Sequence, residues 1–342
     1  MALRWGIVGC GDVCERKSGP ALQLAKDSQL VAVMRRNGAL AEDFARRHNV
    51  PRWYDDAAKL IADPEVDIVY VATPPGTHEF YARQVLAACK PCYVEKPFAR
   101  CAAECQRMVD SFTAAKLGLY VAYYRRGMER FGQVKQWVES GQLGRITHVG
   151  YRFSGARHVG IDPNNLEWRL QVKESGGGLF MDLGSHALDI IDHIMGPLAN
   201  LSGQAANLAS NYAVEDNVAM QGQFAQGALF TGNWNFASAV SEDIIEITGT
   251  EARVALSAFG EKPIRRQTRT GSAEIPAPYC KPVHLGLVQT IVDEQLGRGT
   301  CPSTGVSALR TARWMDQVVE AYYGTRTDGF WDHPERWPGR RV

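Results

Sequence analysis

Leu3-Arg4-Trp5-Gly6-Ile7-Val8-Gly9-Cys10-Gly11-Asp12-Val13-Cys14 is the stretch on which the fold of this 342-residue chain turns. Leu3 to Val8 is a short apolar run that reads as a buried strand, and it empties into a glycine turn. A G-x-G-x-x-G turn after a first strand supplies a tight bend, a close backbone approach to a pyrophosphate, and a small residue where helix meets strand. Here Cys14 stands at the third small position. Gly9, Gly11, Asp12 and Val13 are therefore candidate dinucleotide-binding residues; the alternative is an ordinary strand-to-helix turn.

Working outward, a second strand, Leu30 to Met34, ends at Arg35-Arg36-Asn37. An NAD site usually places an acidic residue there to take the ribose hydroxyls, whereas arginines suit a ribose phosphate. The expectation is NADP(H) over NAD(H), against two solvated arginines on a loop. Ala39 to His48 reads as a helix, Asp55 as a cap for a short helix from Asp56 to Ile61, and Val66 to Ala72 as an interior strand. That strand ends in Thr73-Pro74-Pro75-Gly76-Thr77-His78, ahead of a helix from Glu79 to Cys89. Turns at the carboxyl ends of parallel strands line the cofactor crevice, which places Thr73, Pro74 and His78 there; His78 could equally cap the helix. Cys92-Tyr93-Val94-Glu95-Lys96-Pro97 is another strand end, and a helix from Cys101 to Ala115 and a strand from Leu117 to Val121 follow. This alternation predicts a Rossmann-type, doubly wound parallel sheet over residues 1–122 and a second domain over 123–342.

Composition narrows the function. The chain is 45% hydrophobic and 22% charged, and its 38 basic against 37 acidic residues give a net charge of +1. No polyanion partner is signalled, so neither nucleic acid nor an anionic membrane surface is expected. Apolar runs such as Ile68 to Ala72 are too short to span a bilayer, and Met1 to Gly9 lacks the features of a signal peptide, so a cytoplasmic location is expected. Of the eight cysteines, Cys89, Cys92, Cys101 and Cys105 have the spacing of two zinc half-sites. Reduced thiols packed as small apolar residues are the preferred reading, and no metal is expected.

The second chemical signal is Gly176-Gly177-Gly178-Leu179-Phe180-Met181-Asp182-Leu183-Gly184-Ser185-His186, continuing through Asp189 and Asp192. Leu179, Leu183, Ile190 and Ile194 recur at helical spacing, so a buried helix starts near Gly178. Four residues apart, Asp182 and His186 share a face. A carboxylate that orients an imidazole or shares a substrate hydroxyl is what proton exchange with an alcohol requires; the alternative is a buried helix whose polar residues satisfy neighbouring backbone. Lys96 at a strand end could polarise a carbonyl, with Glu95 beside it and Pro97 fixing the backbone.

Gly9-Cys10-Gly11, Ala72-Thr73-Pro74 with His78, Glu95-Lys96-Pro97, and the glycine triplet with Asp182, Gly184, His186 and Asp189 together resemble the glucose-fructose oxidoreductase, inositol dehydrogenase and rhizopine catabolism (Gfo/Idh/MocA) family. The resemblance covers nearly the whole chain, and it is nearest NADP-dependent 1,5-anhydrofructose reductases or dihydrodiol dehydrogenases. It implies a second, α+β domain with an open, mostly antiparallel sheet whose exposed face mediates a homodimer or homotetramer. Strands from Ile146 to Phe153, Val214 to Phe224, Ala228 to Phe236, Ile244 to Gly249 and Ala252 to Leu256 agree with this, as do turns at Gln226-Gly227 and Thr250-Glu251. A helix near Phe131 to Ser140 and closing helices from His284 to Leu296 and Ser307 to Tyr323 complete the domain. The aromatic tail from Phe330 to Pro338 reads as an arm on a partner subunit or a loosely held end. Two positions depart from the family pattern: Ala122 stands where glycine is usual, and Gly127 where an aromatic usually follows Arg126.

The resemblance implies an NADP(H)-dependent oxidoreductase moving a hydride between nicotinamide and a secondary alcohol or ketone of a sugar, cyclitol or related polyol. Lys96, Asp182 and His186 would be catalytic, with Lys96 also bridging to the cofactor and Glu95 holding it. Tyr124, Arg126, Trp168 and Arg169 would join Asp182 and His186 around the substrate. The alternatives are a catalytically silent dinucleotide-sensing regulator and an NAD-dependent glycosidase of the same fold.

Overall fold

The computed structural model describes residues 2–157, 160–326 and 330–340. Backbone packing divides the chain into two units, Met1–Met128 with Cys280–Leu309, and Glu129–Tyr279 with Arg310–Val342.

In the first unit, strands β1 (Leu3–Val8), β2 (Ser28–Met34), β3 (Arg52–Tyr54), β4 (Ile68–Val71), β5 (Cys92–Val94) and β6 (Leu119–Val121) form one sheet in the order β3-β2-β1-β4-β5-β6. Every registered pair is parallel. The inner strands are apolar throughout because helices cover both faces: Ile68, Val69, Tyr70 and Val71 are all fully buried. Between them run α1 (Asp12–Arg16), α2 (Ser18–Leu24), α3 (Gly38–Arg47), α4 (Ala57–Ala62), α5 (His78–Ala87) and α6 (Ala102–Ala115). The strand order reverses between β1 and β4, which makes the crevice at their carboxyl ends the natural ligand position.

Local chemistry sets several element ends. Asn37 caps α3 by accepting from Leu40 N at 3.3 Å. Asp56 caps α4 by accepting from Ala58 N at 2.9 Å, so the cap is Asp56 and Asp55 lies one residue outside it. The chain breaks between α1 and α2 at Lys17. A Cβ at Gly19 would stand 2.3 Å from the Cys14 carbonyl, so the two short helices cross backbone on backbone.

The second unit begins with α7 (Glu129–Glu139) and β7 (Ile146–Ala156), then α8 (Val172–Ser175), a π turn over Phe180–Gly184 and α9 (Ser185–Met195). Strands β8 (Leu198–Ala206), β9 (Asn217–Phe224), β10 (Leu229–Asn235), β11 (Ala237–Gly249), β12 (Ala252–Leu256), β13 (Ile264–Thr268) and β14 (Gly271–Ile275) join β7 in the order β14-β13-β12-β11-β7-β10-β9-β8. Only β7 and β10 pair in parallel. One face is aromatic and buried, with Tyr151, Phe230 and Trp234 on it. The opposite face is polar, with Arg152 bound to Glu242 and His148 3.0 Å from Thr231. Both expected turns, at Gln226-Gly227 and Thr250-Glu251, join antiparallel neighbours. Strands β3, β8, β13 and β14 are elements that sequence periodicity does not reveal.

Two helices close the chain, α10 (Leu285–Gln295) and α11 (Gly305–Tyr323). Residues 280–309, read from sequence as part of a 123–342 domain, pack with the first unit. Their apolar side chains, Leu287, Val288, Ile291 and Val292, are fully buried. The described tail packs within the second unit of its own chain, where Phe330 and Trp337 close on Tyr323. Among the described residues, no helix is long and apolar enough to cross a membrane.

Candidate active site

In the first unit the glycine turn sits at the strand-order reversal. Gly9 has φ +89°, and a Cβ there would stand 2.7 Å from Thr73 Cγ2, so glycine is required on both counts. Gly11 opens α1, and a Cβ there would meet nothing nearer than 3.8 Å, which leaves its backbone open to a close ligand approach. Cys14 is fully buried beneath the turn and fills the third small position. Burial pushes the Cys10 thiol up to about 11, which keeps it neutral inside the turn. These residues fit a dinucleotide pyrophosphate. Arg35 and Arg36 follow β2 and are exposed.

Thr73 and Pro74 also stand at this edge, with Thr77 Oγ1 donating to Thr73 Oγ1 at 2.8 Å. His78 is the first residue of α5, whose N-cap is Thr77, and its ring is fully buried, with Nε2 2.7 Å from the Thr73 carbonyl and Nδ1 3.1 Å from that of Phe98. Burial lowers its pKa, with the backbone hydrogen bonds to Thr73 and Phe98 opposing. These two contacts tie the imidazole to the backbone around the turn that follows β4.

Beyond β5, Glu95 is buried and Lys96 half-buried. Oε2 of Glu95 accepts from Lys96 N at 2.8 Å, and Oε1 accepts from the Tyr70 hydroxyl at 2.5 Å. Burial raises the Glu95 carboxyl, with the Lys96 ammonium and the Tyr70 hydroxyl opposing. Tyr70 stacks on Tyr93 at 4.7 Å, and the Tyr93 hydroxyl lies 3.2 Å from Nδ1 of His284. Burial lowers His284 to about 3, helped by the charges of Lys17, Arg125 and Lys96, so its ring is neutral. Tyr124 stacks on His284 at 4.5 Å, and Arg126 donates Nη1 to the Pro302 carbonyl at 3.2 Å. Both are buried in the first unit, at 8% and 7% exposure. The glycine at 127 has a packing cause: a Cβ would stand 2.3 Å from Leu287 N, so no aromatic fits there.

In the second unit the helix carrying Asp182 and His186 starts as a π turn, with Asp182 inside it and His186 in the first turn of α9. His186 is 4% exposed and meets the Phe259 ring edge-on at 5.9 Å. Arg169 Nε donates to Asp182 Oδ2 at 3.2 Å, its Nη1 to Glu167 at 3.2 Å, and its guanidinium lies 4.5 Å over the Trp168 ring. Asp182, Trp168 and Arg169 thus form one cluster. Further along α9, Asp192 is buried and takes two hydrogen bonds from Arg310, at 3.0 and 2.7 Å.

The sequence does not single out Tyr70 and His284, nor the buried Glu215, which accepts from Gly178 N and the Tyr323 hydroxyl, nor Arg326, which donates to the Gly176 carbonyl. The signal for Tyr70 is a polar group inside an apolar run, Glu215 beside Asp216 and Asn217 carries no such signal, and their partners lie 25 and 108 residues away in sequence.

Residues 3–123 match the "Oxidoreductase family, NAD-binding Rossmann fold", and residues 131–255 match the "GFO/IDH/MocA C-terminal domain". An "Oxidoreductase P35" of Formosa agariphila is 29% identical over 94% of this chain and 99% of its own. A trans-1,2-dihydrobenzene-1,2-diol dehydrogenase of Sus scrofa is 27% identical over 73% of each. Among solved structures, an oxidoreductase from Agrobacterium radiobacter in complex with NAD+, L-tartaric acid and magnesium matches with a TM-score of 0.82. It is 22% identical over 93% of this chain and 95% of that one, a likeness of fold.

Proposed function

The chain belongs to the GFO/IDH/MocA oxidoreductase family, with an NAD-binding Rossmann domain, and from that premise we propose a substrate, a cofactor preference and a set of acting residues. The reaction is oxidation or reduction at a secondary alcohol or ketone of a sugar, cyclitol or related polyol, with NADP(H) preferred over NAD(H). The observation that carries this reading is Asp182, bound by Arg169 over Trp168, one turn ahead of a buried His186. A carboxylate, a guanidinium and an aromatic face beside an imidazole suit a ring that carries several hydroxyls.

The bound nicotinamide supplies or accepts the hydride. Gly9, Gly11, Asp12 and Val13 hold the pyrophosphate end, Thr73 and Pro74 line the crevice, and Arg35 and Arg36 at the end of β2 receive the ribose phosphate. His186 exchanges the proton of the reacting oxygen. Lys96, its backbone gripped by Glu95, stabilises the charge that develops on that oxygen. Asp182 takes a neighbouring hydroxyl, with Trp168 and Arg169 beside it. The polar face of the eight-stranded sheet, with Leu229 and Val240 exposed on β10 and β11, is the surface for a homodimer or homotetramer. The protein acts in the cytoplasm on a small molecule.

The test is cofactor absorbance with NADPH and NADH against ketoses and dicarbonyl sugars, and with NADP and NAD against polyols, cyclitols and aldoses. Turnover preferring the phosphorylated cofactor is expected. Intact cofactor binding without turnover on any of these would contradict the reading.

A further inference from the structure

The glycine triplet that leads into the Asp182–His186 segment is fastened from outside at its first and third residues, while Gly177 bonds locally to Ser175 Oγ. Arg326 donates Nη1 to the Gly176 carbonyl at 2.9 Å. A Cβ at Gly177 would meet Met181 Cγ at 2.7 Å and the Tyr323 hydroxyl at 3.4 Å. Gly178 N donates to both carboxylate oxygens of Glu215, at 3.0 and 2.9 Å, and the Tyr323 hydroxyl donates to Oε2 of the same carboxylate. No side chain fits at Gly178, where a Cβ would stand 2.6 Å from the Glu215 carbonyl.

This attachment is connected to the reacting residues through backbone. The Gly178 carbonyl accepts from Met181 N at 3.1 Å, which opens the turn holding Asp182, and Ser185 Oγ donates to the Asp182 carbonyl at 3.1 Å. On its other side Tyr323 is covered by the tail: Trp337 meets it edge-on at 4.8 Å, and Phe330 stacks on Trp337 at 5.7 Å. Glu215 itself has no exposure, and burying a carboxylate is expensive unless its hydrogen bonds are made. Burial raises its carboxyl to about 7, with the Tyr323 hydroxyl, the Gly178 amide and the Arg326 guanidinium acting in the opposite sense. An apolar side chain of similar volume would pack this core at lower cost. The carboxylate is therefore better explained by what it holds.

We propose that Glu215, with Tyr323 and Arg326, is a positioning site for the reaction: it fixes how Asp182 and His186 leave the glycine triplet, and the segment from Phe330 to Trp337 braces it. The inference rests on the assignment of Asp182 and His186 given above. A tilt of the π turn misplaces the imidazole, and a misplacement of about 1 Å costs on the order of 100-fold in rate.

Glu215→Gln and Tyr323→Phe in the full chain test it by amide hydrogen exchange and steady-state kinetics. Tyr323→Phe keeps the aromatic packing and removes only the hydroxyl. Exchange at residues 178–186 is expected to quicken about tenfold in both variants, with β1 to β6 unchanged. In parallel kcat should fall roughly 10- to 100-fold, with KM for NADPH within about twofold of wild type. Unchanged exchange at 178–186, exchange that quickens across the whole second unit, or quickened local exchange with an unchanged kcat would each overturn the inference. If wild type turns over no substrate, the functional reading fails separately, and local exchange at 178–186 still decides whether the brace exists.

Discussion

Arg169 Nε donates to Asp182 Oδ2 across 3.2 Å while the same guanidinium lies 4.5 Å over the Trp168 ring. The arginine side chain is 39% exposed and the aspartate 13%, so the pair borders solvent and contributes little to stability, on the order of 0–1 kcal/mol. In the proposed reaction the pair orients an acceptor one turn ahead of His186. Arg169→Leu is expected to lower kcat/KM for the polyol about tenfold or more while leaving the melting temperature nearly unchanged. Steady-state kinetics beside a thermal melt separates this from a structural role, which would lower both.

Tyr70 and Glu95 are buried and joined at 2.5 Å, and Glu95 in turn grips the Lys96 backbone. Tyr70→Phe keeps the ring and orphans a buried carboxylate oxygen, at a cost of about 1–3 kcal/mol. The expected outcome in urea unfolding is a loss of that size, with kcat reduced alongside. Full stability and full activity would show that the hydroxyl is dispensable.

His284 gives the fold an acid-sensitive point. Its folded pKa, about 3, lies below the unfolded value of 6.5, so the unfolded chain takes up a proton that the native chain refuses. The contribution is present above pH 6.5 and is lost progressively as pH falls from there toward 3. His284→Phe keeps a ring against Tyr124 and removes the titration. Between pH 6.5 and 4.5 wild type should lose more stability than the variant, by at most about 1.4 kcal/mol per pH unit. Parallel slopes in urea unfolding would count against this account.

Arg35 and Arg36 stand exposed at the end of β2, where the ribose end of a dinucleotide is met. Arg35→Ser with Arg36→Asp should turn an NADPH preference into an NADH preference, mostly through KM. An unchanged preference, measured as the ratio of kcat/KM for the two cofactors, would show that neither arginine reads the phosphate.

What was legible in the sequence follows from how local each signal is. The run from Leu3 to Gly11 is a strand and a turn whose physics is contained in neighbouring residues, and the parallel sheet follows from repeating it. Asp182 and His186 are visible because helical spacing is local. By contrast, β8 and the β13–β14 hairpin alternate too weakly in polarity to stand out, and their pairing comes from the finished sheet. His78 has the composition of a crevice residue, yet backbone carbonyls of Thr73 and Phe98 draw it inside. Glu215 and Tyr323 are joined only in the folded chain. Residues 280–309 return to the first unit for a similar reason: Gly286 and Gly127 pack backbone to backbone, a closeness that no sequence window contains.

The most direct test of the account is Lys96→Ala. Turnover is followed by NADPH absorbance on the best substrate, and NADPH binding by fluorescence titration on the same preparation. The account predicts that turnover is lost while the dissociation constant for NADPH stays within a few-fold of wild type, because Lys96 acts on the reacting oxygen and the glycine turn and arginines hold the cofactor. A Lys96→Ala enzyme that still turns over near the wild-type rate would contradict it.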